Sequence, residues 1–238
     1  MSRLYGKMLR DLIEEDYKEK EEEEQCGFRA GRSCTDNVFT LKQIIEKRSA
    51  RNLETHLTFV DLQKPCDTVQ VTKLFRVLEQ SNINHTYIAA FKELYRESKS
   101  RIRGGQCIAE EFMVNKGLRQ RCCVSPTLFK IYVVMALKKL KRKVQGMGKE
   151  IDGGCLFTLQ FADVQVIVAN DKDDMQYMIR KLIEEYKEWG LIVNIAKTKY
   201  LSVGTHSLGN LELGNGQEIL QCQEYEYLGI TFDNSFDF

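Results

Sequence analysis

The sequence predicts an α+β fold, a sheet with helices packed over one face. Short β-rich apolar runs alternate with amphipathic stretches in which apolar residues recur every three to four positions. Hydrophobic residues make up 43% of the 238, enough to build a core in one large domain or two interleaved lobes and too many for a disordered chain. No internal repeat or low-complexity linker interrupts the pattern.

The elements follow in order. Leu4 to about Glu24 reads as a polar helix with Leu4, Met8, Leu12 and Ile13 apolar. A Gly- and Arg-bearing loop, Gln25 to Ser33, leads to a helix striped with Val38, Leu41, Ile44 and Ile45, for which Asp36 is a cap. Leu57 to Leu62 is a short strand, and Pro65 blocks its continuation. Val71–Leu74–Phe75–Leu78 and Ile88–Phe91–Leu94–Tyr95 mark two amphipathic helices. Arg101 to Val114 is a hairpin turning at Gly104–Gly105, and Ser125–Pro126 opens a helix carrying Leu128, Ile131, Tyr132, Met135 and Leu140. Two β-rich runs, Cys155 to Gln160 and Gln165 to Ala169, put Asp163 near a hairpin tip. A helix from Asp171 to Trp189 stops at Gly190. Strands at Ile192–Asn194 and Tyr200–Val203 follow, then a hairpin from Leu211 to Ile219 with Asn215–Gly216 as its turn.

Composition excludes several classes. The longest apolar stretches, such as Ile131 to Leu137, are far short of the ~18 residues of a membrane span, and the acid-rich N-terminus lacks the apolar core of a secretory signal. A soluble intracellular protein with no membrane partner is expected. The eight cysteines form no CxxC pair, and His56, His85 and His206 are scattered, so reduced, mostly packed thiols are expected instead of a zinc site. The net charge of +1 conceals an acidic run (Glu19, Glu21 to Glu24) and two basic regions, Lys138 to Lys143 and Lys99 to Arg121. From charge alone these read as solvated faces, although basic clusters also suit phosphate backbones.

Asp61 in FVDL and Asp163 in FADV each end or interrupt an apolar strand, where a charge is costly unless it is paired or binds a metal. Either alone is an ordinary turn or cap residue. Two on adjacent strands would suit a pair of Mg²⁺ ions about 3.5–4 Å apart, one activating a 3′-hydroxyl and the other steadying pyrophosphate. The sequence leaves their adjacency open.

Six blocks in order carry a resemblance: QCGFRAGRSCTDN (Gln25 to Asn37), FVDLQKPCDTV (Phe59 to Val69), GLRQRCCVSPTLF (Gly117 to Phe129), FADV (Phe161 to Val164), GLIVNIAKTK (Gly190 to Lys199) and YLG (Tyr227 to Gly229). From about Gln25 to Gly229 the chain resembles the reverse-transcriptase domain of non-LTR (LINE-type) retrotransposons. The resemblance implies an RNA-directed DNA polymerase with right-hand fingers and palm, a ferredoxin-like palm sheet with helices on one face, and the thumb absent. Residues 1–56 would be fingers-like and 57–238 palm, with an interleaved fingers segment at about 70–116 and a primer-grip-like hairpin at the end. By similarity Asp61 and Asp163 are the catalytic carboxylates and, with the Leu62 carbonyl, the ligands of two Mg²⁺ ions. Arg29 and Arg32 would approach the incoming nucleotide and template, with Cys66 at the sugar gate, Gln120 in the nucleotide pocket, Lys197 near the triphosphate, and Tyr227, Leu228 and Gly229 in the primer grip. The implied partners are template RNA, a DNA primer and deoxynucleoside triphosphates, and the implied site of action is the nucleus.

Several departures fall on the chemistry. Val164 replaces the second of two consecutive Asp, Cys66 after Pro65 replaces an aromatic gate, and Arg121 and Cys123 replace a Gly and a Pro of the pocket block. The chain ends nine residues after Gly229, with no helical thumb, preceding endonuclease or following zinc knuckle expected. Impaired turnover on a decayed element copy is the expectation. A catalytically inactive nucleic-acid- or protein-binding relic of the same fold is the alternative.

Overall fold

The chain folds as two interleaved units, residues 1–21 with 64–135 and residues 22–63 with 136–238. The computed structural model describes residues 3–96, 99–105, 107–151, 154–204, 209–214 and 216–235. In chain order the elements are α1 (Arg3–Tyr17), α2 (Cys34–Ser49), β1 (Thr55–Val60), α3 (Pro65–Thr68), α4 (Val71–Gln80) and α5 (His85–Arg96). Four two-residue strands follow: β2 (Lys99–Ser100), β3 (Arg103–Gly104), β4 (Cys107–Ile108) and β5 (Phe112–Met113). Next come α6 (Ser125–Lys143), β6 (Lys149–Ile151), β7 (Gly154–Leu156), β8 (Thr158–Phe161), β9 (Val164–Ala169) and α7 (Lys172–Glu188). The last are β10 (Lys199–Val203), β11 (Leu211–Glu212), β12 (Glu218–Ile219), β13 (Glu224–Tyr227) and β14 (Ile230–Asp233).

The first unit is helical with a small ribbon. Helix α1 buries Leu9, Ile13 and Tyr17, spaced four apart on one stripe, and a 3₁₀ turn carries it only to Lys20. It stops short of Glu24 because the glutamates that follow have other partners. Glu21 pairs with Lys130, which is itself buried. Helix α4 buries Leu74, Val77 and Leu78, and α5 buries Ile88, Phe91 and Tyr95. Phe75 meets Phe91 and Tyr95 edge-on, with ring centroids 6.1 and 6.3 Å apart. The expected hairpin forms in two tiers, β2 on β5 and β3 on β4, and Gly105 turns with φ at 60°.

The second unit is built on an antiparallel sheet in the order β10–β1–β9–β8. Every residue of β1 is buried, so both faces of this strand must be covered. On one face Leu57, Phe59, Val166, Val168 and Leu201 pack with Leu41, Ile44 and Ile45 of α2 and with Tyr227 and Phe232 of the β13–β14 hairpin. On the other, the Tyr186 hydroxyl of α7 donates to the Gln165 side chain at 2.7 Å. Helical cover is therefore two-sided, whereas one helical face was expected. The alternation of β1 explains this, since His56, Thr58 and Val60 need burial as much as Leu57 and Phe59.

Three local expectations change. Asp36 acts from the third helical position, accepting from the Ser33 backbone N–H at 2.6 Å, so Ser33 is the cap. The strand expected at Ile192–Asn194 reduces to one bridge between Val193 and Leu62. None of the eight cysteines forms a disulfide, but only Cys26 is buried, while Cys66 and Cys107 are exposed. Asn215, half of the expected turn between β11 and β12, and His206 lie outside the described residues, although β11 and β12 do pair.

Candidate active site

Register brings the two strand carboxylates to one end of the sheet. The β8–β9 hairpin pairs Phe161 with Val164, which leaves Ala162 and Asp163 as a two-residue turn. Ala162 takes the positive φ, 61°, that the first central position of a tight hairpin demands. Strand β1 pairs with β9 through Val60 and Gln165, and one further step in that register sets Asp61 opposite Val164. Asp61 and Asp163 thus sit at the same end of neighbouring strands, the first half-buried and the second exposed.

The chain beyond α7 holds the Asp61 backbone. The Asp61 N–H donates to the Thr198 hydroxyl at 3.2 Å, and its carbonyl accepts from the Asn194 N–H at 2.8 Å. The Gln63 N–H donates to the Ile192 carbonyl, also at 2.8 Å. This pattern leaves the Leu62 carbonyl without a donor among the described residues. Asp61 also lines a cavity of about 630 Å³ with Lys197, Lys199, Cys222 and Tyr225. Lys197, in the turn closed by its N–H to the Asn194 carbonyl at 3.1 Å, is exposed.

Tyr225 and Lys199 are the residues that sequence reasoning missed. The Tyr225 ring stacks on Phe59 at 4.1 Å with 8° between planes, and burial followed by the nearby Asp61 charge pushes its hydroxyl pKa up. The EYEY alternation of β13 was the available signal, because it places Tyr225 and Tyr227 on one face. Tyr227 itself is fully buried with its hydroxyl 3.4 Å from the Asn37 amide. Its ring packs in the core cluster with Leu41, Phe59 and Phe232. Leu228 and Gly229, with φ of 51° and 83°, form the hairpin turn.

The loop from Glu24 docks on the free edge of β8. Gln25 bridges Gln160, the Cys26 N–H donates to the Gln160 carbonyl at 2.9 Å, and the Gln160 N–H donates to Glu24 at 2.8 Å. Gly27 lies so close to the hairpin that a Cβ there would stand 2.0 Å from the Ala162 nitrogen. Beyond it, Arg29 pairs with Glu23 at 2.8 Å and Arg32 pairs with the other oxygen of the same carboxylate. The Arg29 guanidinium holds the Glu23 carboxyl below its usual range.

Cys66 and Gln120 belong to the first unit. Cys66, on α3, is exposed, and its carbonyl accepts from the Leu118 N–H at 2.8 Å, so the gate and pocket blocks are joined there. Gln120 is exposed beside Arg121, whose φ of 60° is left-handed. The structure therefore gathers Asp61, Leu62, Asp163 and Lys197 in one unit, and Cys66 with the Gln120 block in the other.

Two carboxylates and one undonated carbonyl are hard oxygen ligands that fit a Mg²⁺ ion. The Val164 side chain offers no oxygen, and among the described residues no three His, Cys, Asp or Glu side chains gather at a metal-binding spacing.

Residues 1–232 match the family model for reverse transcriptase (RNA-dependent DNA polymerase), and the chain belongs to that family. It is 21% identical over 222 residues to the retrovirus-related Pol polyprotein from type-2 retrotransposable element R2DM of Drosophila melanogaster, a match covering 87% of this chain and 20% of that protein. With the Pol polyprotein from type-1 retrotransposable element R2 of Nasonia vitripennis the identity is 22% over 225 residues, 88% of this chain and 21% of that protein. The chain thus spans about one fifth of the length of these relatives. Among solved structures, telomerase from Candida tropicalis in complex with a fragment of telomeric RNA superposes with a TM-score of 0.67 at 12% identity, over 97% of this chain and 37% of that one. The expected kinship with non-LTR retrotransposon reverse transcriptases and the α+β polymerase fold both hold.

Proposed function

We propose that the chain is the fingers-and-palm portion of an RNA-directed DNA polymerase whose Asp61 and Asp163 are the catalytic carboxylates, with turnover weakened or lost through Val164. The supporting observation is the register: Asp61 faces Val164, one residue from Asp163, at the sheet end where family members carry consecutive carboxylates. In this reading residues 57–238 form the palm, and residues 1–56 and about 70–116 the fingers. Mg²⁺ held by Asp61, Asp163 and the Leu62 carbonyl would supply positive charge to the 3′-hydroxyl of a DNA primer and to the departing pyrophosphate. Lys197 adds a cation to the triphosphate side of the Asp61 cavity. Arg29 and Arg32 exchange Glu23 for phosphate when nucleotide and template RNA enter. Cys66 gates the sugar, Gln120 lines the pocket, and Leu228 and Gly229 present the turn of the grip hairpin. The setting is the nucleus, where a chromosomal primer is available.

A second reading, a non-catalytic nucleic-acid-binding relic, draws on Val164 and Arg121. Primer extension on an RNA template with Mg²⁺ separates the two. It compares the chain, Val164→Asp and Asp163→Asn. Extension restored or raised at least ~10-fold by Val164→Asp, and abolished by Asp163→Asn in that background, is the expected result. Salt-sensitive RNA binding with no extension by any variant would favour the relic.

A further inference from the structure

The end of the central sheet away from Asp61 carries a cavity of a different character. Strand β1 runs antiparallel to β9, so Thr55 and Ala169 mark the end opposite Asp61 and Asp163. There a cavity of about 760 Å³ is lined by four cations, Lys47, Arg48, Arg51 and Lys149, and by no Asp or Glu among the described residues. Its size lies within the usual range of small-ligand sites. Phe39 and Lys47, about two turns apart on α2, are both exposed and line the cavity together with Ile44. Phe39 is 62% exposed, a large aromatic left at the mouth of a basic cavity.

Asp171 and Asp174 act on Lys149, and Glu54 acts on Arg48, but the exposed cations of this cavity differ from the basic run on α6, where Lys139, Lys141 and Lys143 each pair with a glutamate. Neither Lys47 nor Arg51 pairs with a carboxylate among the described residues. Lys149 is only 6% exposed, and its ammonium donates to the Asn170 side-chain oxygen at 2.5 Å, a neutral partner. Arg48 donates to the Glu54 carbonyl at 2.8 Å. Burial and the neighbouring Arg48 push Lys149 down to about 7, although Asp171 and Asp174 pull the other way. A buried ammonium beside a guanidinium is unfavourable unless an anion joins them.

We propose that this cavity is a nucleotide-phosphate site, with Lys47, Arg51 and Lys149 receiving the phosphate oxygens and Phe39 packing against the base. Phosphate needs cationic donors, and a base needs an exposed aromatic face, and the cavity offers both within one unit of the fold. The phosphate could come from a free nucleotide or from one unit of a strand. The site does not depend on the polymerase reading.

Equilibrium binding of AMP, inorganic phosphate and a short RNA oligonucleotide to the whole chain, in EDTA without Mg²⁺, tests it. AMP or RNA should bind saturably with one site per chain and be displaced by inorganic phosphate. The double variant Lys47→Ala/Arg51→Ala, at exposed positions that leave the fold intact, should weaken binding about 10-fold or more. Phe39→Ala should weaken it several-fold, and Asp61→Asn should not change it. AMP bound at least as tightly as RNA assigns a free nucleotide, and tighter RNA assigns a strand. Unsaturable binding of both ligands, or affinity unchanged in the double variant, overturns the site. Affinity unchanged by Phe39→Ala overturns the role of the base platform.

Discussion

Arg121 occupies a left-handed backbone position, φ 60°, where the family pattern has glycine. A Cβ-bearing residue there costs roughly 1–2 kcal/mol, partly offset because glycine loses more freedom on folding. Arg121→Gly should therefore raise the unfolding free energy by about 0.5–1 kcal/mol, readable in urea titration; a loss of stability would mean that the Arg side chain has a structural role. The same scale adds what charge alone did not show: the basic run on α6 is exposed, as a solvated face should be, and it and the acidic run are also paired. Glu21 pairs with Lys130, Glu22 and Glu24 with Lys141, and Glu23 with Arg29 and Arg32. A run of like charges shows in sequence, but the partners of Glu21, Glu22 and Glu24 lie more than a hundred residues away and appear only when the chain is folded. Val164 is a third case, since its side chain packs against the cluster that contains Phe59 and Val166.

At the scale of elements, the hairpin and the loop that docks on it form one device. Gly27 has no room for a side chain, because its Cβ would meet the Ala162 backbone at 2.0 Å. Gly27→Ala should lower stability by on the order of 3 kcal/mol in thermal or urea unfolding and displace the Ala162–Asp163 turn; an unchanged melting curve would contradict the docking. Much of this level was legible beforehand. Strand β1, the β8–β9 hairpin with Asp163 at its tip and helix α7 follow from periodicity and turn chemistry, which are local. Two-sided cover of the sheet and the burial of Tyr227 were not legible, because they depend on which elements meet. The cavity shared by Asp61, Lys197 and Tyr225 lay equally out of reach, since it joins three segments separated by more than a hundred residues at its widest. Tyr225 and Tyr227 look alike in EYEY, and only packing separates the rim residue from the core one.

Across the whole molecule, both units are discontinuous in sequence, so each carries blocks from distant parts of the family pattern. The carboxylates, Lys197 and the Arg29 loop belong to one unit, while Cys66 and the Gln120 block belong to the other. The departures divide in the same way: Val164 lies at the Asp61 end of the sheet in one unit, and Cys66 and Arg121 lie in the other. Val164→Asp therefore changes only the unit that carries Asp61 and Asp163. The proposed Asp61–Asp163 metal pair, left incomplete by Val164, is tested by calorimetric titration with Mn²⁺ in place of Mg²⁺. Val164→Asp should bind at least about 10-fold more tightly than the chain itself, because it adds a hard oxygen ligand beside two others, and Asp61→Asn should abolish the gain. Equal affinity with and without Val164→Asp, or a gain that survives Asp61→Asn, would contradict it.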